Sequence, residues 1–333
     1  MASGLARGGV PAVLAGVVAL AAAGAARGGY YTANSGSATK LYTVTATVNG
    51  TSGYTHTEGP IYDGNGGILF CELNSSHSND LLWRYNITSK TASVAVTGSG
   101  GTQGDYYNAS GQLVTADRDT RQVSVRSMSN LSSATAVAGT YGGKQFNGPN
   151  DVVVDAAGGI FFTDPNFENF ANRPGVDAVY YITPGRTVNQ VLTYGTTGRP
   201  NGIILSPNRD RLYVGLWNNN VINVYDLNSA GVPTNGRTFA SPAHPDGMTI
   251  DQWGNVIVSR TGGVTCYTPS GVSLWTVTTA DSGATNVEIY NNTLYITASY
   301  SLYSVGLTPV PEPASLGVLG AGLAGLAGRR RRR

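Results

Sequence analysis

The feature that most constrains the fold of this chain is a short segment that recurs six times. Each copy begins with a glycine or a polar turn and continues as an alternating run of β-branched and aromatic residues. The copies are GGILFCE (66–72), GQLVTAD (111–117), GGIFFTD (158–164), DRLYVGL (210–216), GNVIVSR (254–260) and NTLYITA (292–298). They begin about 40 to 50 residues apart, which is the spacing of a four-stranded propeller blade.

A second strand-like run follows each copy, and an apolar strand precedes it. No segment keeps an apolar period of about 3.6 residues, so few helices are expected. The pattern predicts an all-β fold, a six-bladed β-propeller with four-stranded blades, over residues 40–308. The early run YTVTATV (42–48) is expected to pair with the last blade, which would close the ring and leave no long free edge.

An oxygen-bearing side chain stands just before several of the apolar first strands. These side chains are Glu58 in TEGPIY, Asn150 in GPNDVVVD, Asn201 in RPNGIIL, Asp246 in HPDGMTI and Asn286 in ATNVEIY. Turn chemistry alone explains the neighbouring Gly and Pro residues. Because the first strand of each blade lines the centre of a propeller, we expect these oxygens to converge on a central metal-binding channel.

Carboxylate and amide oxygens without thiol or imidazole form a hard-oxygen site. Ca²⁺ prefers this set, and Mg²⁺, Mn²⁺ or Zn²⁺ are alternatives. An open-sided cation can polarise a carbonyl or lower the pKa of a bound water, as a hydrolase requires. The residue types alone also allow two alternatives to a catalytic cation. One is a structural ion that fills the channel, and the other is a hydrogen-bonded amide cluster without an ion.

Both ends of the chain are predicted to be targeting signals. Residues 1–26 combine a basic start, an apolar stretch and A-x-A sites, which predicts a signal peptide cleaved by signal peptidase. Residues 310–333 contain Pro-Glu-Pro, an apolar stretch and five terminal arginines, and such a tail is held with its arginines on the cytoplasmic side. The tail resembles the PEP-CTERM sorting signal of Gram-negative bacteria. That resemblance implies processing by an exosortase-type enzyme, transient anchoring in the inner membrane, and a cell-surface or extracellular destination.

Charge and cysteine content exclude other classes. Six of the 21 Lys and Arg residues lie in the leader and the terminal arginine run, which leaves 15 against 19 Asp and Glu residues. This mildly acidic body lacks the basic footprint of a nucleic-acid-binding protein. The two cysteines, Cys71 and Cys266, lie in apolar strand-like runs without a CxxC motif, which favours buried thiols over a disulfide. The three histidines are too scattered in the sequence to predict a histidine-based metal site.

From about Thr57 to Leu307 the chain resembles the senescence-marker-protein/gluconolactonase/luciferin-regenerating-enzyme superfamily. The matching phrases are TEGPIYD, FNGPNDVVVDAAGGIFFTDPNF, RPNGIILSPNRDRLYVG, HPDGMTIDQWGNVIV and TNVEIYNNTLYITASYSLYSV. The resemblance implies a central divalent cation with Glu58, Asn201 and Asp246 as ligands. It implies that Asn150 reaches the metal or the substrate, and that Asp246 manages the proton; Asp246 and Asn150 are thus the candidate catalytic residues.

The second blade departs from the bacterial gluconolactonase pattern. Asp105 and Tyr106 stand where an Asn-Gly is common, and Asp117-Arg118-Asp119 replaces a Glu-His-Gly-like loop. Candidate substrate-binding residues are therefore Asp105, Tyr106, Arg118, Arg121 and Asn286. Surface ion pairing is the alternative interpretation of the two arginines.

The sequence favours an exported metal-dependent hydrolase of a lactone or a related ester. The alternative is a non-catalytic propeller at the cell surface or in exopolysaccharide, with a metal ion that only stiffens the fold.

Overall fold

The computed structural model describes residues 29–44 and 55–310. Every regular element in this part of the chain is a β-strand, in the order β1 (Tyr30–Ala33), β2 (Thr39–Thr43), β3 (Thr55–Tyr62), β4 (Gly67–Asn74), β5 (Leu81–Asn86), β6 (Thr91–Thr97), β7 (Thr102–Tyr107), β8 (Leu113–Asp117), β9 (Gln122–Ser127), β10 (Asn130–Ala138), β11 (Thr140–Tyr141), β12 (Lys144–Gln145), β13 (Val152–Val154), β14 (Ile160–Asp164), β15 (Ala178–Ile182), β16 (Val188–Thr193), β17 (Pro200–Leu205), β18 (Arg211–Leu216), β19 (Val221–Leu227), β20 (Pro233–Ala240), β21 (Met248–Ile250), β22 (Val256–Tyr267), β23 (Ser273–Tyr290), β24 (Thr293–Ala298) and β25 (Ser301–Val310). One compact unit spans Tyr31–Pro309. The predicted signal peptide, and the predicted tail beyond Val310, lie outside the described residues.

Four antiparallel sheets of four strands each follow the chain in order. They consist of β3 to β6, β7 to β10, β13 to β16 and β17 to β20, and in each sheet consecutive strands are hydrogen-bonded neighbours. The strands β11 and β12 form a separate small hairpin. The six repeated segments fall on β4, β8, β14, β18, β22 and β24, each beside the first strand that precedes it. This is the sheet pattern of an all-β propeller, as predicted.

The remaining strands form one seven-stranded sheet, because β22 and β23 are long. β22 pairs with β21 through Val256–Val258 and with β23 through Thr261–Tyr267. β23 continues from that pairing to pair with β24 over Ala284–Tyr290. The sequence predicts two separate strands on either side of Gly262. Instead β22 runs through this segment as one strand, with a shift in its pairing to β23 between Thr261 and Gly263.

The early strand β2 lies on β25 at the end of this sheet. Tyr42 pairs with Leu302, and Thr43 pairs with Ser301. The predicted pairing of the early run with the last repeat is therefore confirmed for its first residues, and residues 45–48 lie outside the described part. Trp275 of β23 also connects to β1, because its indole N–H donates to the carbonyl of Tyr31 at 2.6 Å.

The hydrophobic core lies between neighbouring sheets. Phe161 of β14 and Tyr213 of β18 belong to one fully buried cluster, and Val114 of β8 and Phe162 of β14 belong to another. Burying a large apolar side chain stabilises a fold by roughly 1.5–3 kcal/mol, so this inter-sheet packing holds the sheets against one another. Cys71 and Cys266 are buried free thiols, as predicted.

The first strands of the sheets contact one another. β3 contacts β7, β7 contacts β13, β13 contacts β17, and β17 contacts β21; β23 contacts both β21 and β3. These strands therefore bring together residues that are far apart in the sequence.

Candidate functional site

The four predicted metal ligands line one cavity of about 370 Å³. Glu58 belongs to β3 and Asn201 to β17, whereas Asn150 and Asp246 lie two residues before the first residues of β13 and β21. Glu58, Asn150 and Asn201 are buried, and Asp246 is half-buried. The cavity thus collects two carboxylates and two amides at the amino-terminal ends of four first strands.

Local irregularities in the first strands direct these side chains toward the cavity. The pairing register shifts between Glu58 and Ile61 in β3, and between Pro200 and Ile203 in β17. Such bulges re-aim a side chain that regular alternation would point elsewhere, and they are common beside active sites.

A glycine follows three of the four oxygen-bearing residues. A Cβ atom on Gly59 would clash with the carbonyl of Gln103, and one on Gly202 would clash with the carbonyl of Asp246. Glycine at these two positions therefore allows neighbouring first strands to approach closely. Close approach brings oxygen-bearing side chains of different sheets to one cavity.

The two carboxylates are held by hydrogen bonds but have no cationic partner. Glu58 accepts from the side chain of Asn286 and the N–H of Gly59, and Asp246 accepts from the side chain of Asn201. Among the ion pairs within the described residues, none includes Glu58 or Asp246. Two acids in one cavity without a basic partner leave negative charge uncompensated.

Burial and neighbouring negative charge raise the pKa of both acids. Burial raises the pKa of Glu58 well above its ordinary value, and the charge of Asp246 raises it further. Burial, with the charge of Asp151, likewise raises the pKa of Asp246. A bound cation would reverse this effect, because it favours the ionised form of both carboxyls.

The donor set could hold a hard divalent cation. The Nδ2 group of Asn150 donates to Oε1 of Gln103, which leaves the Asn150 carbonyl oxygen as a ligand. Within residues 29–44 and 55–310, no three His, Cys, Asp or Glu side chains come together in a way that could hold a metal ion. The set in this cavity is of a different kind, with two carboxylates and two amide carbonyls, and it suits Ca²⁺ best.

Three predicted substrate-binding residues line a different cavity. Asp105, Tyr106 and Asn286 face a space of about 730 Å³. Asn286 also contacts a metal-ligand candidate, because its side chain donates to Glu58. In β23, Thr285 lines the cavity of the metal-ligand candidates, and Asn286, one residue later, lines the other.

The two predicted arginines have different surroundings. Arg118 lines the 370 Å³ cavity, and its Nε donates to Asp119 at 2.7 Å in a buried ion pair. Arg121 lines neither cavity. Its guanidinium donates to the carbonyls of Phe146 at 2.6 Å and Ala171 at 2.7 Å, so it fastens loops together. The ion-pairing interpretation therefore fits Arg118, although that pair is buried and not at the surface, whereas no ion pair within the described residues includes Arg121.

Sequence reasoning missed Gln103, which lines the cavity beside Asn150. A signal for it was available: Gln103-Gly104 repeats the pattern of an oxygen-bearing residue followed by glycine, seen in Glu58-Gly59 and Asn201-Gly202. Gln103 also lies at a register shift, as Glu58 and Asn201 do, because the pairing of β7 shifts between Thr102 and Asp105.

An aromatic wall, formed by Phe167, Trp217 and His244, bounds one side of the cavity. The Trp217 and His244 rings are 4.2 Å apart, and the Phe167 and Trp217 rings are 6.0 Å apart. The guanidinium of Arg199 lies 4.9 Å from the Phe167 ring and 5.9 Å from the Trp217 ring. The loops that carry these residues show no sequence period, so their convergence was not predicted.

A polar group of residues bounds the cavity elsewhere. Glu168 lies 3.6 Å from Arg118 and 3.3 Å from Nε2 of His77. His56 also lines the cavity; burial and then Arg118 lower its pKa to about 4, so it is neutral at pH 7. Two of the three histidines, His56 and His244, thus share this cavity despite their separation in the sequence.

Comparison with known proteins agrees with this geometry. Residues 56–300 match the family model of the SMP-30/gluconolactonase/LRE-like region, and residues 309–332 match the PEP-CTERM protein-sorting motif. That motif indicates export in a Gram-negative-type bacterium and exosortase-type processing. In the described residues, no helix is both long and apolar enough to cross a membrane.

A gluconolactonase of Zymomonas mobilis is 29% identical over 236 residues, which cover 62% of this chain and 63% of that protein. The chain therefore aligns with less than two thirds of that relative. A gluconolactonase from Xanthomonas campestris has the same fold, with a TM-score of 0.69, 23% identity, and coverage of 85% of this chain and 95% of that one. A calcium-binding regucalcin from Agrobacterium tumefaciens has a TM-score of 0.62 at 16% identity, over 79% of this chain and 93% of that one. Since the family model spans well over half of its length, the chain belongs to the SMP-30/gluconolactonase/LRE-like family.

Proposed function

We propose that this protein is an exported, metal-dependent hydrolase of a lactone or a related ester. The observation that carries the proposal is the convergence of Glu58, Asn150, Asn201 and Asp246 on one cavity without a paired basic residue. Family membership and the gluconolactonase relatives support the same reaction class.

We also infer that the propeller has six blades. β22 carries two strands of one blade, and β23 carries the last strand of that blade and the first strand of the next, so the seven-stranded sheet can be divided into two blades within β23, between Thr278 and Ala284. The contacts among the first strands, which lead from β3 through β21 and β23 back to β3, support a ring of six around a central channel.

Ca²⁺ is the proposed cation, with Glu58, Asn150, Asn201 and Asp246 as its ligands. Ca²⁺ accepts six to eight oxygens, so four protein ligands leave positions for water and substrate. When bound, it would polarise the substrate carbonyl and lower the pKa of water. The calcium-binding regucalcin with the same fold supports this choice.

The side chains of the cavity supply positioning and proton transfer. Asp246 is half-buried and faces the cavity, so its carboxylate can accept a proton from the attacking water. Gln103 holds the amide of Asn150, which fixes the Asn150 carbonyl oxygen toward the reacting centre.

The aromatic wall gives the substrate an apolar surface. Phe167, Trp217 and His244 can pack against the carbon face of a ring and exclude water from it. Arg118 can donate hydrogen bonds to ring hydroxyls, and Glu168 can accept hydrogen bonds from them. This combination suits a compact cyclic substrate with one apolar and one polar face.

The test is to assay the purified protein against sugar lactones and aryl esters, with added Ca²⁺ and after EDTA treatment. We expect turnover of at least one lactone, lost with EDTA and restored by Ca²⁺. The thermal midpoint should rise with Ca²⁺, because a hundredfold excess over Kd stabilises the native state by about 2.7 kcal/mol. A rise in the midpoint without turnover would favour a non-catalytic propeller with a structural ion. An unchanged midpoint, with no metal found by elemental analysis, would contradict the metal site itself.

A further inference from the structure

Two neighbouring sheets carry the same unusual turn beside the cavity of the metal-ligand candidates. Arg199 stands two residues before Asn201, and His244 stands two residues before Asp246, with a proline between them in each case. The φ angles of Arg199 and His244 are 47° and 48°. A residue that precedes a proline favours the extended region, so a positive φ is uncommon at such a position. Among the described non-glycine residues with positive φ, only these two precede a proline.

Hydrogen bonds hold both residues in this conformation. The N–H of Arg199 donates to Oδ2 of Asp177 at 2.9 Å, and its carbonyl accepts from the N–H of Trp217 at 3.0 Å. The N–H of His244 donates to Oδ1 of Asn220 at 2.8 Å. Both side chains lie against the Trp217 indole, the His244 ring at 4.2 Å and the Arg199 guanidinium at 5.9 Å. Uncommon backbone conformations that the surroundings enforce cluster at functional sites, and one of these two carries a cation beside the aromatic wall.

Arg199 differs from the other arginines in the partners of its guanidinium. Every other arginine of the described residues donates a side-chain hydrogen bond within the protein. Within residues 29–44 and 55–310, the guanidinium of Arg199 makes neither a hydrogen bond nor an ion pair, and its contacts are the rings of Phe167 at 4.9 Å and Trp217 at 5.9 Å. Its N–H donors are therefore left for a ligand or for water.

These donors are accessible and lie close to the cavity. Arg199 is half-buried, and none of its nitrogens is among the buried side-chain atoms that lack a partner, so its donors reach solvent. Phe167 and Trp217, the rings against which the guanidinium lies, line the cavity of the metal-ligand candidates. The guanidinium therefore stands at the rim of this cavity, beside the aromatic wall.

The charges at the cavity favour a carboxylate at this rim position. Arg118, the other arginine at the cavity, already pairs with Asp119 at 2.7 Å and lies 3.6 Å from Glu168. The negative charge of Glu58 and Asp246 would be offset by the proposed cation. One unpaired guanidinium supplies one positive charge and two parallel N–H donors, which match a singly charged, planar carboxylate.

We propose that Arg199 binds the carboxylate of a ligand whose ring packs on the aromatic wall. For the proposed hydrolase, the substrate is then a lactone or ester that carries a carboxylate on the part remote from the reacting carbonyl, and Arg199 determines this specificity. The statement about the substrate rests on the proposed function, whereas the binding of the carboxylate does not.

The binding test uses cyclohexanecarboxylate and its neutral counterpart cyclohexylmethanol, measured on the full chain at saturating Ca²⁺ by calorimetry and by saturation-transfer NMR. We expect the carboxylate to bind about tenfold more tightly or better, because hydrogen bonds between charged groups are stronger than neutral ones. Arg199→Gln should remove this preference. Arg186→Gln, which makes the same change at an exposed arginine that lines neither cavity, should keep it.

Equal binding of the two probes to the wild-type protein, or no binding of either, would overturn the proposal. So would a carboxylate preference that persists in a folded Arg199→Gln variant, because the metal ion or another basic group would then hold the carboxylate. If Arg199→Gln does not fold, as judged by circular dichroism, the same comparison on EDTA-treated wild-type protein decides the question, since no bound cation can then hold the carboxylate.

Turnover tests the statement about the substrate. D-glucaro-1,4-lactone carries a carboxylate where D-glucono-1,4-lactone carries a hydroxymethyl group. We expect kcat/KM to be about tenfold higher or more for the carboxylate-bearing lactone, and Arg199→Gln to bring the two values together. Equal kcat/KM values in the wild-type protein would contradict the specificity and leave the proposed function intact. Carboxylate binding at Arg199 without turnover of any lactone would contradict the proposed function and leave the carboxylate site intact.

Discussion

At the scale of single residues, Gln103 is the side chain that most clearly positions a predicted ligand. Its Oε1 accepts from Nδ2 of Asn150. Replacing Gln103 with Leu keeps the side chain similar in size but removes that acceptor, so the Asn150 amide loses its orientation. We expect Ca²⁺ affinity to fall about 10- to 100-fold, as for other residues that orient metal ligands. Isothermal titration with Ca²⁺ measures this directly.

Gln103→Glu is the matched variant. It retains an acceptor oxygen for Asn150 and adds negative charge to the cavity, so the affinity for Ca²⁺ should be kept or increased. Equal Ca²⁺ affinity in Gln103→Leu and wild type would show that Asn150 is not held by this contact.

The residue scale also shows how far sequence alone could predict the site. Glu58, Asn150, Asn201 and Asp246 share a position before an apolar strand, and the fold brings all four to one cavity. Asn286 has the same sequence context but lines the other cavity, although its side chain donates to Glu58. A shift of one residue reverses the face of a side chain, and the sequence pattern does not show where bulges fall.

At the scale of strands, the close approach of neighbouring first strands depends on small residues. A Cβ on Gly202 would clash with the backbone of Asp246, and backbone cannot move aside as a flexible side chain can. Gly202→Ala should therefore lower the free energy of unfolding by about 1–3 kcal/mol, the usual cost of overpacking. Urea unfolding, monitored by tryptophan fluorescence, measures the change.

Gly185→Ala is the matched control for this strand-level prediction. The nearest heavy atom to an added Cβ there is Oγ1 of Thr183, at an ordinary contact distance of 3.7 Å. The free energy of unfolding of Gly185→Ala should therefore stay close to that of the wild-type protein. Similar losses in both variants would mean that the cost comes from glycine replacement in general and not from the strand contact.

The positions of the strands could be predicted from the sequence, but the continuity of β22 and β23 could not. The six repeats were identified from alternating hydrophobicity, and each falls on a strand. The fusion of the last sheets was missed because Gly262 and Gly263 are typical of a turn, yet both lie inside β22 with positive φ angles of 85° and 136°. Pairing with β23 outweighs the local turn preference of these glycines.

At the scale of the whole molecule, the boundary between fold and sorting tail differs slightly from the predicted one. The sequence places the end of the propeller at residue 308, but β25 extends to Val310. Thr308 also donates to the side chain of Asn34 at 2.6 Å. The structured part of the chain therefore includes the last two residues of this strand.

A chain that ends at Val310 should keep the thermal midpoint and any turnover of the longer protein, because it retains all of β25. A chain that ends at Gly306 should unfold at a lower temperature, since it loses Leu307, which is 3% exposed, and the Thr308 contact. Differential scanning calorimetry on the two truncated chains checks both outcomes. Unfolding or aggregation of the chain that ends at Val310 would show that residues of the tail contribute to the fold.

We propose that the cavity of Glu58, Asn150, Asn201 and Asp246 is a metal-dependent hydrolytic site in which Asp246 accepts a proton. Metal occupancy and lactone turnover of Asp246→Asn at saturating Ca²⁺ test this directly, beside Asp226→Asn, which makes the same chemical change at an exposed ion pair. We expect retained occupancy in both variants, wild-type turnover in Asp226→Asn, and turnover lower by about 10²- to 10⁴-fold in Asp246→Asn. Full occupancy with wild-type turnover in Asp246→Asn would show that Asp246 is not the proton acceptor.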